Sequence, residues 1–220
     1  MDHIQLLQTD PAYPARLHAL LGPDAPPQLG LAGNRALLQE RTLSLFCSIR
    51  CPGAMILQTY QLMRTLRRCR LAVISGFHSP MERECLRTLA NGTAGIVWCL
   101  AKSLAAFRLS GEWQPLFESG RLLLVAPFPP HVTRITKATA LFRNRVAAAL
   151  ADDAFLPYAA AGGRTEKFCQ ELLAWDKTVF TLAAPENAGI VERGAHALSL
   201  SDVTSFWPTH EVPVTGDTLL

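Results

Sequence analysis

The sequence predicts an α/β domain built on a doubly wound, mainly parallel β-sheet with helices on both faces. Three observations predict it. Short runs of β-branched or aliphatic residues alternate with longer stretches of helical periodicity, the usual sign of a parallel sheet covered on both sides. The 220 residues are 49% hydrophobic and 18% charged, enough to bury a large core and too apolar for disorder. The longest apolar runs, residues 122–130 and 146–151, fall well short of a bilayer span.

Residues 1–40 read as a lead-in packed on the core, because Pro11, Pro14, Pro23, Pro26 and Pro27 punctuate them. The domain proper spans 41–198. Its first strand is Leu43 to Cys47, followed by a helix from Ala54 to Cys69 in which Ile56, Tyr60 and Met63 recur at helical spacing. A second strand, Leu71 to Ile74, leads to a helix starting near Ser79-Pro80, since serine caps and proline suits the first helical position. Strands at Gly95 to Cys99 and Arg121 to Val125 precede an alanine-rich helix from Thr136 to Leu150. Then come a strand at Ala154 to Pro157, a helix from Thr165 to Ala174 opening after Gly162-Gly163, and a strand at Thr178 to Leu182. A short helix follows Pro185-Glu186-Asn187. Residues 199–220 are polar and turn-rich and read as a loose tail. The βα series as a whole is Rossmann-like.

The six cysteines lie among apolar neighbours, as free buried thiols do. Only Cys47 and Cys51 are close in sequence, and no second pair or histidine at finger spacing completes a metal site, so no metal is expected. The N-terminus has neither a basic head nor a long apolar stretch, which argues against a signal peptide and for a cytoplasmic, membrane-free location. A net charge of +3 permits a phosphate-bearing partner without requiring one.

Ligands of open parallel sheets collect at the carboxyl ends of the strands, where helix N-termini offer unpaired amides to anions. Four loops there carry candidate ligand-binding residues. Ser48 and Arg50 follow the first strand and precede a Pro-Gly turn, a hydroxyl and a forked cation suited to phosphate. Ser75, Gly76, His78 and Ser79 follow the second, with Phe77 between them, read first as core and second as a stacking surface. Glu82 and Glu84 favour the positive end of the next helix. Arg143, Asn144 and Arg145 form the third cluster; the two arginines point about 200° apart on a helix, so only one can face a given ligand, and the sequence leaves open which. Gly162, Gly163 and Thr165 form the fourth, a glycine pair able to cradle phosphate beside a hydroxyl.

The order of these pieces resembles the DNA processing protein A (DprA/Smf) family. The resemblance rests on Tyr13-Pro14-Ala15-Arg16-Leu17, Pro26-Pro27-Gln28-Leu29 and Gly33-Asn34, on Ser48-Ile49-Arg50 where that family has a Gly-Ser-Arg turn, on Val73-Ile74-Ser75-Gly76, on Phe142-Arg143-Asn144-Arg145, similar to its Phe-x-Arg-Asn-Arg helix, and on Asn187 with Gly194-Ala195. It covers roughly residues 11 to 198. It implies a Rossmann-like domain that binds single-stranded DNA or a nucleotide in a basic pocket, self-association as a homodimer, and a recombinase as partner. It implies no cofactor and no catalytic residue. Two departures stand out: Ser48 replaces the turn glycine, and Phe77-His78-Ser79-Pro80-Met81-Glu82 replaces an Ala-x-Gly-Ile-Asp turn. The tail of about twenty residues is too short for the winged-helix module that many members append.

Two other functions compete. Phosphoribohydrolases of the lonely-guy type carry Pro-Gly-Gly-x-Gly-Thr-x-x-Glu with a catalytic glutamate, but aligning Gly162-Gly163 puts Cys169 there, or Phe168 after a one-residue shift. A scaffold that has lost its ligand site is the other. No Gly-x-Ser-x-Gly, His-Glu-x-x-His or phosphate-loop lysine motif is present, so binding ranks above catalysis.

Overall fold

A computed structural model of the chain describes residues 3–209. Nine strands form one sheet: β1 (Ile4–Leu7), β2 (Gln28–Gly33), β3 (Thr42–Leu45), β4 (Ala72–Ser75), β5 (Gly95–Cys99), β6 (Leu122–Ala126), β7 (Asp153–Leu156), β8 (Val179–Leu182) and β9 (His196–Leu198). The helices are α1 (Ala15–Leu21), α2 (Gly53–Leu66), α3 (Pro80–Ala90), α4 (Gln114–Glu118), α5 (Lys137–Leu150), α6 (Arg164–Ala174), α7 (Ala188–Val191) and α8 (Val203–Phe206). The spatial order is β1-β2-β6-β5-β4-β3-β7-β8-β9. Pairing is parallel from β6 across to β9 and antiparallel for β1 with β2 and β2 with β6.

Alternation along the strands divides the core. Ala72, Ile74, Val97, Leu123, Val125, Ala154 and Leu156 face α1, α5 and α6, while Leu43, Leu45, Val73, Ile96, Leu124, Phe155 and Phe180 face α2 and α3. With both faces covered, the central strands read as continuous apolar runs, which is why each core strand was legible.

The flanks differ from expectation. The lead-in is not merely wrapped on the domain: β2 joins the sheet beside β6, with Leu29 and Leu31 buried in the α1 and α5 layer. Its prolines end at Pro27, just outside the strand, and its glycines weaken the strand signal. Gly33 is needed there, at φ 104° with Leu122 O 2.3 Å from where a Cβ would sit. The loose tail expected after Leu198 is packed through Thr209. Val203 and Trp207 are buried, Trp207 sits 5.0 Å from Phe180, and Arg70 N donates to Pro208 O. These two buried anchors, one of them aromatic, outweigh the polar composition around them. The remainder of the expected tail, residues 210–220, lies outside the described residues.

A half-buried cation braces the frame. The Arg121 guanidinium, entering β6, donates to Leu89 O, Ala90 O and Ala94 O and so caps the C-terminus of α3. Arg121→Met is expected to leave those carbonyls unpaired and lower stability by about 2–3 kcal/mol, read from the midpoint of urea unfolding.

At the opposite end of the sheet from the candidate site, Arg16 pairs with Asp152 at 3.1 Å, Arg41 pairs with Asp153 at 2.6 Å, and Lys177 Nζ donates to Ala151 O. Burial, with Arg16 nearby, pulls the Lys177 ammonium down to about 8 from 10.5. Below pH 8 both the folded and unfolded states carry the proton, so folding bears the cost of burying the charge. Between pH 8 and 10.5 the folded state releases its proton first, and this contribution to stability rises with pH. The stability of Lys177→Met relative to wild type is therefore expected to decline as pH goes from 8 to 10.5, measured by urea unfolding of both proteins at each pH. The buried cysteines titrate alike in the two.

Candidate functional site

Strand order reverses between β3 and β7, and the loops leaving their carboxyl ends meet there. Ser48 does not offer its hydroxyl to this crevice. It is buried, its N–H donates to Tyr158 O and its Oγ accepts from Ala160 N at 3.0 Å, which ties the two loops together. Arg50, two residues on, is exposed, with no hydrogen bond or ion pair among the described residues.

The loop after β4 is also occupied internally. Ser75 Oγ donates to Leu45 O and accepts from Phe77 N. Phe77 takes φ 45° and is buried edge-on to Trp98 at 5.9 Å, so it is core. Ser79 caps α3 in a reciprocal box with Glu82. The Glu82 carboxylate also gathers Cys47 N at 3.1 Å, His78 N at 2.8 Å and Ser79 N at 3.3 Å. Three amides of two loops, the arrangement anticipated for phosphate, thus enclose the chain's own carboxylate. The His78 residue is exposed at its margin. Glu82→Ala is expected to leave these amides without an acceptor and cost about 3 kcal/mol of stability, measured by urea unfolding.

The glycine pair repeats the pattern. Gly162, at φ 70°, donates its N–H to Glu166 Oε2 at 2.7 Å, and Arg193 holds the other carboxylate oxygen at 3.2 Å. Gly163 N–H goes back to Ala160 O. Thr165 is half-buried in the first turn of α6, and Gly163 rather than Thr165 is the cap. Phe168 and Cys169, where a lonely-guy-type enzyme would place its glutamate, are buried in the core.

The third cluster resolves into two environments. Arg145 points away from the crevice: its guanidinium pairs with Glu171 at 2.6 Å and Asp24 at 3.3 Å and lies 5.8 Å from the Trp175 ring. Its expected place at the ligand is corrected, since two carboxylates neutralise it elsewhere. Arg143 lies over the carboxyl ends of β4 and β5 and is only 5% exposed. It donates to Cys99 O at 3.3 Å and, through Nε, to Asn144 Oδ1 at 2.8 Å, which fixes the role of Asn144 as an orienting acceptor. No carboxylate pairs with it among the described residues. Burial pulls its pKa down, yet an arginine stays charged. The guanidinium lies directly on Gly76: a Cβ there would stand 1.7 Å from Nη1. Trp98, which the sequence reading passed over, braces the same turn through Nε1 to Gly76 O at 3.1 Å.

The sequence model described as DNA recombination-mediator protein A matches residues 5–201. The chain belongs to that family. The fold agrees: DNA processing protein A from Streptococcus pneumoniae superposes with a TM-score of 0.77 at 17% identity, covering 96% of this chain and 76% of that one. DNA processing protein A from Helicobacter pylori, described for its single-stranded DNA binding mode, gives 0.72 at 17% identity, covering 94% of each chain. The molybdenum cofactor carrier protein of Chlamydomonas reinhardtii shares the fold more loosely, with a TM-score of 0.53 at 11% identity over 76% of this chain and 94% of that one. No curated protein sequence matches significantly. Among the described residues of this DprA-family chain, no helix is long and apolar enough to cross a membrane.

Proposed function

We propose that this DprA-family protein binds single-stranded DNA at the carboxyl edge of its sheet, with Arg143 holding a backbone phosphate and Arg50 a neighbouring one. The observation that carries the reading is a buried guanidinium that makes no ion pair among the described residues and is seated on Gly76 at the carboxyl edge of the sheet. A buried charge is stable when a counter-charge joins it, and a phosphate oxygen matches the guanidinium fork. Family membership supports the ligand class, as does the single-stranded DNA binding described for the H. pylori relative.

Gly76 makes room for Arg143, Asn144 orients it, and Ser48, Ser75 and Ser79 fix the loops. Gly162, Gly163 and Thr165 belong to the turn between β7 and α6, and His78 stands exposed on the loop after β4. Glu82 and Glu166 take amides of all three loops, those after β3, β4 and β7, so affinity rests on guanidinium groups more than on amide cradles. Strong salt dependence follows from phosphate contacts. With this reading go self-association as a homodimer, a cytoplasmic location and a recombinase partner, the last in keeping with the family's description as a recombination mediator.

The test is fluorescence anisotropy of a labelled single-stranded oligonucleotide over a salt series, with wild type and an Arg50→Ala, Arg143→Ala double variant. Salt-sensitive binding that the folded variant loses supports the site. No binding by folded wild type at low salt refutes the reading.

A further inference from the structure

Two of the residues whose helical spacing marks α2, Ile56 and Tyr60, do not face the core. The buried side of the helix is Met55, Thr59, Leu62, Met63 and Leu66. Its outward side is apolar too: Leu57 is 68% exposed, Tyr60 49% and Ile56 43%, and Ile49 in the preceding loop is 59% exposed. Ile56 and Leu57 lie four and three residues before Tyr60, so each neighbours it on the helix surface. Ile49 and Ile56 both line a groove of about 620 Å³ beside the N-terminal turns of α2 and α3, which joins the four side chains in one patch. Apolar residues exposed singly need no explanation, but a contiguous group inside a charged rim marks a surface that another protein covers.

The rim has one sign. The sequence holds no Asp or Glu from residue 41 through residue 81, α2 included. Arg64, one turn beyond Tyr60, and Arg83, which lines the groove from α3, are exposed and make no ion pair among the described residues. Glu84, which also lines the groove, pairs with Arg87. Single-stranded DNA would use the arginines but not the aliphatic side chains, since bases stack on aromatic rings and Tyr60 alone offers one. A second copy of the chain fits poorly, because a two-fold contact sets the same patch against itself and brings arginine against arginine.

We propose that the outward side of α2 is a docking surface for an acidic amphipathic helix of a partner protein, whose apolar residues cover Ile56, Leu57 and Tyr60 while its carboxylates meet Arg64 and Arg83. Burial of the exposed aliphatic and tyrosine surface supplies the attraction. The arginines set the orientation and turn away basic partners. Helix against helix also explains the spacing, with anchors that recur at three and four residues. Of the groove lining, Arg50 alone is shared with the proposed DNA site, so the two surfaces can be tested apart.

The probe is a labelled helical peptide with leucines at i, i+3, i+4 and i+7 and glutamates on its flanks; a control peptide carries lysines in place of the glutamates. Anisotropy with the full chain is expected to show the acidic peptide bound at least about tenfold more tightly than the basic one. Leu57→Gln with Tyr60→Gln, both exposed and both changed to a good helix former, weakens acidic-peptide binding about tenfold and leaves oligonucleotide binding as in wild type. Arg64→Glu with Arg83→Glu reverses the preference between the peptides. No binding of the acidic peptide, equal binding of the two, or binding that survives the Leu57 and Tyr60 changes would each overturn the proposal. So would loss of oligonucleotide binding in that variant, which makes the face part of the DNA site, or a wild-type dimer that it converts to monomer in sedimentation, which assigns the face to a second copy.

Discussion

Arg143→Met should fold at least as stably as wild type and bind a single-stranded oligonucleotide about 10- to 100-fold more weakly, the worth of one charge-assisted hydrogen-bonded contact. The two halves of this expectation come from one geometry. The guanidinium is 5% exposed, without a carboxylate partner, and holds only Cys99 O and Asn144 Oδ1. In the unliganded protein it bears desolvation that those two acceptors only partly offset, and methionine fills similar space without the charge. Stability should therefore hold or rise. The Glu82 carboxylate acts on Arg143 only through space, whereas bound DNA supplies a counter-charge in contact, so binding should fall, and the slope of log affinity against log salt should flatten by about one phosphate contact. Urea unfolding and anisotropy on one preparation read both quantities. A large loss of stability with unchanged affinity would make Arg143 a structural residue and remove the basis of the proposed site.

The six core strands and four long helices were legible because each repeats a period that burial enforces: apolar runs in strands covered on both faces, and helical spacing in α2, α3, α5 and α6. β1 and β2 were not, because the prolines around them and Gly30 and Gly33 within or at the end of β2 carry turn signals, while the pairing to β6 that stabilises them is non-local. Trp207 likewise belongs to the core through Phe180, a contact that sequence spacing does not reveal.

At the site, position along the chain was legible and direction was not. The loops after β3, β4 and β7 do open at one sheet edge, and Arg143 of α5 reaches Gly76 there. Which hydroxyl is free and which amide is taken depends on Glu82 and Glu166, each reaching back over one helical turn to loop N–H groups. For Glu82 the signal was present, since glutamate three residues after Ser79 is a capping-box pattern. Its further reach to Cys47 N, 35 residues away, has no local signature. The opposed directions of Arg143 and Arg145 follow from helix geometry, but the choice between them was made by Glu171, Asp24 and Gly76 in space.

Gly76→Ala tests whether that choice matters. Gly76 does not occupy the left-handed region, so an alanine meets no backbone penalty there, and any effect must pass through what its methyl touches. It would lie 1.7 Å from Arg143 Nη1, 1.9 Å from Cζ and 2.5 Å from Nε. The guanidinium must leave its seat and with it the bond to Cys99 O. A single methyl group is therefore expected to weaken oligonucleotide binding about as much as removal of the arginine, roughly 10- to 100-fold. In an Arg143→Met background the same methyl has no guanidinium to displace, so the double variant should bind no more weakly than either single one, and the coupling between the two should nearly equal the effect of one. Anisotropy across the four proteins completes the cycle. Additive losses would mean that Gly76 and Arg143 act on the ligand separately, and that the contact between them is packing without a part in binding.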